Sequence, residues 1–143
     1  MTKKILSLNA FFILLPLMVV AQPQWTQKAS IPSQGRVHAV GFAIGTKGYI
    51  GMGEGSTFAP LRDFWEWDQP TDTWTKKDSF PYTLLFSVGF SIGTKGYVTG
   101  SGTGPAKGFW QWDQASNTWS QMVDFPGAAR SNAAGFAIGT KDM

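Results

Sequence analysis

Few side chains in this sequence could carry chemistry. His38 is the only histidine and cysteine is absent, so the chain holds no thiol nucleophile, no disulfide and no thiolate metal site. One imidazole can act as a general base or as a ligand, but no second histidine and no nearby pair of acids stands beside it in the sequence. The residue types therefore predict no catalytic site, no metal and no cofactor, and they favour a protein that is not an enzyme.

Tryptophan is the other distinctive residue, with seven copies in 143 residues. Trp65 and Trp67 recur 45 residues later as Trp110 and Trp112. Indoles can form a platform for a sugar, but aromatic side chains that return at a regular period are more typical of a core, where they bury a large apolar area. We therefore expect these four indoles to pack between structural repeats.

The charge of the chain does not favour a nucleic-acid partner. The formal net charge is +3, and two of the positive residues, Lys3 and Lys4, lie at the N-terminus. Without these two residues, ten basic residues face nine acidic ones and form no basic run. We expect no nucleic-acid partner.

The N-terminus has the three parts of a secretory signal peptide. Lys3 and Lys4 are followed by an apolar stretch over residues 5–20, and small side chains precede Gln22. The apolar stretch is shorter than the roughly 20 residues that cross a bilayer. The sequence predicts a signal peptide over residues 1–21 that is cleaved after Ala21. The product would be secreted or periplasmic, with no stable membrane anchor.

The rest of the chain repeats itself. The segment GFAIGTK at 41–47 returns as GFSIGTK at 89–95 and as GFAIGTK at 135–141. FWEWDQPTDTW at 64–74 returns as FWQWDQASNTW at 109–119. A third element, tryptophan followed seven residues later by proline, starts at Trp25, Trp74 and Trp119.

Each period predicts four short antiparallel strands. Two β-prone runs flank a GTKG turn, an alternating third run follows, and the fourth run begins near the tryptophan. Four strands in 45–48 residues are typical of a propeller blade. We predict an all-β partial propeller of about two and a half blades. Complete blades are expected at 40–77 and 88–122, with lone strands of incomplete blades at 25–28 and 134–138.

These motifs resemble the kelch repeat family. Trp67-Asp68 leads to Trp74, and Trp112-Asp113 leads to Trp119, at the spacing of a kelch blade but with tryptophan in place of the usual tyrosine. The glycine pair of the family is interrupted by one residue, at 51–53 and at 100–102. The resemblance implies a β-propeller, and it is compatible with binding modules and with enzymes.

The number of repeats is too small for a closed ring, which typically needs four to eight blades. We expect a truncated reading frame of a longer propeller, and the alternative is a ring assembled from several short chains. Uncovered blade faces and open strand edges would also favour self-association.

The predicted topology gives the propeller two rims. The loops of one rim are nearly identical between repeats, whereas on the other rim residues 53–62 differ from residues 102–107. Contact loops diversify while structural turns repeat, so the variable rim is the predicted ligand face, although its charges could also be ordinary solvated side chains. The candidate ligand-binding residues are Arg36, His38, Glu54, Arg62, Asp63, Lys107 and Arg130.

These features predict a secreted binding or scaffold module that recognises a protein or a glycan through its variable loops. One alternative is a kelch-family carbohydrate-active enzyme such as a sialic-acid mutarotase. Such a site would lie on the propeller axis and draw arginine or acids from several blades. The other alternative is a non-functional gene fragment.

Overall fold

The computed structural model describes residues 24–139, and the signal peptide predicted at 1–21 lies outside this range. The described residues are all-β and contain none of the long apolar helices that cross a membrane. The ten strands are β1 (Arg36–Val37), β2 (Val40–Ile44), β3 (Lys47–Gly51), β4 (Glu54–Gly55), β5 (Phe64–Asp68), β6 (Thr73–Lys77), β7 (Val88–Ile92), β8 (Lys95–Thr99), β9 (Phe109–Asp113) and β10 (Thr118–Gln121).

Eight of these strands form two antiparallel blades, and the remaining two form a small pair at one end of the first blade. Blade 1 has the order β2-β3-β5-β6, and blade 2 has the order β7-β8-β9-β10. The short strands β1 and β4 pair with each other. The predicted all-β partial propeller is confirmed.

The turn between the first two strands of blade 1 is tighter than the GTKG motif suggests. Ile44 pairs directly with Lys47, so only Gly45 and Thr46 form the turn, and Lys47 already belongs to β3. Gly45 has a φ of 58°, a left-handed value that glycine adopts without a steric penalty.

The two predicted lone strands are not strands in the structure. Residues 25–28 and 134–138 make no ladder, because no described strand offers its backbone groups to them. Residues 134–138 nevertheless lie where the first strand of a further blade belongs. A Cβ on Gly89 would lie 2.5 Å from Val40 Cγ1, and a Cβ on Gly135 would lie 2.7 Å from Val88 Cγ2, so each segment approaches the preceding first strand in the same way.

The core lies between the two blades. Trp112 is fully buried, and its ring centroid lies 4.7 Å from that of Tyr49 and 5.2 Å from that of Phe64. Trp110 is 7% exposed and packs edge-on against Phe80 at 5.2 Å. The prediction that indoles pack between repeats is therefore confirmed for blade 2.

Trp65 and Trp67, at the same positions of blade 1, are only half-buried. They lie on the face of blade 1 that points away from blade 2, because the buried residues Phe64 and Glu66 alternate with them along β5. Burial of these indoles thus depends on a neighbouring blade.

In each blade, a tryptophan of the fourth strand donates a hydrogen bond to the preceding repeat. The Trp74 N–H donates to the Ala29 carbonyl at 2.8 Å, and the Trp119 N–H donates to the Asp78 carbonyl at 3.0 Å. Ala29 and Asp78 both lie four residues after the tryptophan of their own repeat. This contact therefore recurs at the structural period.

A buried acid forms a polar cluster inside blade 1 and next to blade 2. Glu66 is 6% exposed, lies 2.9 Å from Lys47 Nζ and accepts a hydrogen bond from the Tyr49 hydroxyl at 2.7 Å. Burial alone would raise the pKa of Glu66, but the hydrogen bonds from Lys47, Tyr49 and Lys77 lower that pKa below its usual value. Gln114 of blade 2 donates to the Tyr49 hydroxyl at 2.8 Å, so the cluster also links the blades.

Candidate functional site

The variable rim is organised by the pairing of β1 with β4. Val37 lies opposite Glu54, and Arg36 lies opposite Gly55. This pairing holds the segment before the first strand of blade 1 against the loop that follows its second strand. It brings the side chains of Arg36, His38 and Glu54 to one end of the blade.

Arg36 and Asp63 form a buried ion pair on this rim. Arg36 Nη1 lies 2.8 Å from Asp63 Oδ1, and Nη2 lies 2.8 Å from Oδ2, which is the bidentate geometry of a guanidinium on a carboxylate. The Arg36 side chain is only 4% exposed. Burial would raise the pKa of Asp63, but hydrogen bonds from Arg36, Trp65 and Ser33 outweigh it and lower that pKa to about 2. These two charges neutralise each other beneath the rim and hold its loops together.

His38 presents the reactive imidazole of the rim. Its Nδ1 lies 3.0 Å from Glu54 Oε1, and its ring centroid lies 3.9 Å from that of Phe86. With the proton on Nδ1, the imidazole donates to the carboxylate and leaves Nε2 as an acceptor for a ligand. The His38 side chain is 38% exposed, so this nitrogen can be reached from solvent.

His38 opens onto a cleft of about 280 Å³ that three successive repeats share. Each repeat contributes two neighbouring residues. In the first two repeats they immediately precede the first strand of the blade, and in the third they precede residues 134–138, which lie in the place of a first strand. The lining residues are His38, Ala39, Phe86, Ser87, Asn132 and Ala133.

The three larger lining residues occupy one repeated backbone conformation. His38, Phe86 and Asn132 have φ values of 55°, 60° and 54°, all in the left-handed region. This conformation is uncommon for residues with a Cβ and is concentrated at functional sites and turns. The structure therefore turns three unlike side chains, an imidazole, a phenyl ring and an amide, in the same way towards one opening.

Backbone hydrogen bonds fix the cleft on both blades. The Gly53 N–H donates to the Leu84 carbonyl at 3.1 Å, and the Gly102 N–H donates to the Leu85 carbonyl at 2.8 Å. The Asn132 N–H donates to the Phe86 carbonyl at 2.8 Å. The connection that carries Phe86 is thus held by both blades and by the segment that follows them.

The cleft combines one aromatic ring with a few polar groups. Phe86 offers an apolar face, while His38 and Asn132 offer hydrogen-bonding nitrogen and oxygen atoms. Ser87 also lines the cleft, and its buried hydroxyl has no hydrogen-bond partner among residues 24–139. Within residues 24–139, no three histidine, aspartate or glutamate side chains come together as metal ligands. This arrangement suits a small polar ligand with one apolar face.

The other candidate residues lie farther round the rim. Arg62 is exposed and donates to the Pro81 carbonyl at 3.3 Å. The Arg130 guanidinium lies 4.5 Å from the centroid of the Phe125 ring, on the far side of blade 2. Lys107 is exposed, and its carbonyl accepts the Phe125 N–H at 2.9 Å. Of the seven candidates, only His38 lines the cleft. Glu54 does not line it but contacts the His38 ring.

Sequence reasoning missed Phe86 and Asn132, because it considered only charged residues. A signal for them was present in the repeats. The sequences His38-Ala39-Val40, Phe86-Ser87-Val88 and Asn132-Ala133-Ala134 precede the same Gly-Phe pair. The first position of each triplet varies while its surroundings stay similar, which is the expected pattern for a contact position on a repeated scaffold.

No protein-family model matches the chain, and no curated protein sequence matches it. In three dimensions the chain is similar to a solved structure titled "Structure of YjhT", with a TM-score of 0.66 and 17% sequence identity. The similarity covers 79% of this chain and 34% of that one, so the chain spans about a third of the length of that protein. At this identity the likeness shows the fold alone. Together with the two four-stranded blades, it supports a kelch-like β-propeller.

Proposed function

We propose that this chain is a secreted binding module whose variable rim recognises a glycan or a protein, and that a glycan binds in the cleft between His38, Phe86 and Asn132. The observation that carries the proposal is the shared left-handed conformation of these three residues. It directs one aromatic ring and two hydrogen-bonding side chains at a single opening of about 280 Å³.

The chemistry of the cleft favours a sugar. The C–H face of a pyranose ring can lie on Phe86, while its hydroxyl groups exchange hydrogen bonds with His38 Nε2 and with the Asn132 amide. Glu54 holds the His38 ring in place at 3.0 Å. The cleft is therefore partly preorganised without a ligand, and less of the binding free energy is spent on ordering its side chains.

Calorimetric titration of the full chain with a panel of neutral and sialylated oligosaccharides tests this proposal. We expect one class of sugar to bind, and Asn132→Ala to weaken its Kd about fivefold to tenfold, the scale of one hydrogen bond of about 1 kcal/mol. Thr46→Ala is the matched control, because Thr46 is an exposed residue in a turn of the opposite rim. No binding of any sugar, or equal losses in both variants, would contradict the glycan proposal.

A carbohydrate-active enzyme such as a sialic-acid mutarotase is the second candidate, because the His38–Glu54 pair has the geometry of an oriented base. Ring opening of a sugar needs a base that takes the proton from the anomeric hydroxyl and an acid that gives a proton to the ring oxygen as its bond to the anomeric carbon breaks. His38 Nε2 is available to take the first proton, and solvent water can supply the second. The rate of anomeric equilibration, followed by proton NMR, should then rise with the full chain and fall with His38→Ala. A rate equal to that in buffer would exclude this candidate.

A further inference from the structure

The outer face of blade 2 carries an apolar cavity of about 420 Å³. It lies between strands β7 and β9 and the segment that runs from residue 123 to residue 135. Three aromatic residues of its lining are the equivalents, one repeat later, of residues that pack against blade 2. Those earlier residues belong to blade 1 and to the connection that follows it. These pairs are Phe90 with Phe42, Phe109 with Phe64, and Phe125 with Phe80.

Between the blades, the corresponding space receives the fourth-strand indole of blade 2. The Trp119 ring meets Phe64 edge-on at 5.1 Å and Phe80 edge-on at 4.8 Å. Its N–H donates to the Asp78 carbonyl at 3.0 Å. Two aromatic edges and one carbonyl thus define how this fold holds such an indole.

The outer face of blade 2 repeats these three features. Phe109 and Phe125 supply the aromatic surfaces, and the Val123 carbonyl takes the position of the Asp78 carbonyl, four residues after a tryptophan. All three residues line the cavity. We call this group, Phe109, Val123 and Phe125, the indole socket.

The chain also carries an indole of the matching kind. Trp25 is fully exposed, with a relative accessibility of 102%, and residues 24–28 belong to no strand. The sequence that starts at Trp25 corresponds to the sequences that start at Trp74 in β6 and at Trp119 in β10, the fourth strands of the two blades. Ala29 is anchored on blade 1 by an N–H to Asp72 at 3.1 Å and by its carbonyl to Trp74. Residues 24–28, the N-terminal arm, extend from this anchor.

From these observations we infer that the indole socket of one chain binds Trp25 on the N-terminal arm of a second copy. The arm leaves the side of blade 1 where Trp74 lies, whereas the socket lies on the far side of blade 2, so the two ends of one molecule are complementary. Docking adds a fourth-strand segment to the blade in which residues 134–138 occupy the place of the first strand, and these two places lie at opposite edges of a four-stranded blade. The arm of the second copy and residues 134–138 of the first copy therefore take different positions in that blade.

The contact is heterologous, because arm and socket are different surfaces. Such a contact closes into a ring if the rotation allows it, and otherwise it propagates as an open chain. The inference goes beyond the proposed glycan site, since neither Trp25 nor the socket lines the cleft. Failure of one proposal therefore leaves the other standing.

Sedimentation velocity of the full chain over a wide concentration range tests the inference. Wild-type chain should associate reversibly, and Trp25→Ala should weaken association at least about 30-fold, the scale of an aromatic hot spot of 2 kcal/mol. Val123→Glu should weaken association to a similar extent, because it places a charge in the socket, at a residue that is 89% exposed. Phe58→Ala is the matched control, an exposed aromatic residue away from arm and socket.

Mixing the two variants gives the sharpest result. The socket is unchanged in Trp25→Ala, and the arm is unchanged in Val123→Glu. An equimolar mixture of the two variants should therefore form one-to-one pairs, although neither variant associates alone. A mixture that stays monomeric overturns the inference, as does a wild-type chain that is monomeric at every concentration. Equal weakening by Phe58→Ala also overturns it. If far-UV circular dichroism shows that Val123→Glu is unfolded, Ala134→Glu takes its place, since Ala134 is exposed and lines the same cavity.

Discussion

Replacing Gly96 with alanine tests the contact between the blades with one methyl group. Gly96 lies in β8 beneath the ring of Phe42, and a Cβ there would come 2.2 Å from Phe42 Cζ and 2.4 Å from Cε2. Carbon atoms in contact stay about 3.5–4.0 Å apart, so the ring would have to move by more than about 1 Å. Its centroid lies 5.4 Å from that of Tyr49 and 5.8 Å from that of Phe64, which restrict this movement.

We expect Gly96→Ala to lower the free energy of unfolding by about 1–3 kcal/mol, the usual cost of adding a methyl group to a packed core. Gly48→Ala is the matched control at the same position of blade 1. The nearest atom to its new Cβ is Trp67 Cε3 at 3.6 Å, an ordinary contact. Since no blade within residues 24–139 covers Gly48, the free energy of unfolding of this control should stay the same or rise by up to about 1 kcal/mol, because alanine reduces the conformational freedom of the unfolded chain.

Urea unfolding followed by far-UV circular dichroism measures both variants, at a concentration below that of self-association. The slope of the transition must be the same for the two variants before the midpoints are compared. A loss at Gly96 with none at Gly48 supports the packing described above. Equal losses would show that Gly48 is also covered, and no loss at either position would show that the blades do not pack face to face.

Further predictions test burial, pH dependence and export. Trp112→Ala should cost about 3–5 kcal/mol, whereas Trp67→Ala at the same repeat position should cost about 1–2 kcal/mol because that indole is half-buried and leaves no enclosed cavity. Equal losses in urea unfolding would contradict this. Asp63 has a pKa of about 2 against an ordinary 3.8, so its stabilising effect is complete above about pH 4 and is lost as the pH falls towards about 2. The urea midpoint should fall as the pH is lowered through that window, and it should fall less for Asp63→Asn. The same pH dependence of the midpoint in wild type and variant would contradict the assignment. N-terminal sequencing of exported chain should begin at Gln22, and an intact Met1 on a membrane-held product would refute the predicted cleavage.

The repeat period was enough to predict the blades, because identical local signals recur at fixed spacing. Glycine turns and alternating aromatic residues determine where strands begin and which side chains share a face, as for Trp65 and Trp67. The segments at 25–28 and 134–138 carry the same local signals, yet neither forms a strand. A ladder needs hydrogen bonds from a second strand, and local sequence does not report whether that strand is beside it.

The candidate site was less predictable. Charge on a loop does not distinguish a ligand contact from an internal ion pair, and the structure joins Arg36 to Asp63 in such a pair. The cleft instead depends on backbone conformation at His38, Phe86 and Asn132, whose side chains have little chemistry in common. Their shared position becomes visible only when the repeats are aligned by structure.

The left-handed backbone conformation shortly before each first strand affects how substitutions alter the rim. Its backbone dihedral angles fix the direction of the Cα–Cβ bond, and the three occupants differ in size, aromaticity and polarity. A substitution at this position therefore exchanges the chemical group without redirecting it. Under the proposed binding function, laboratory randomisation at residues 38, 86 and 132 would change the groups that face the ligand one at a time, while the strands that carry them keep their packing.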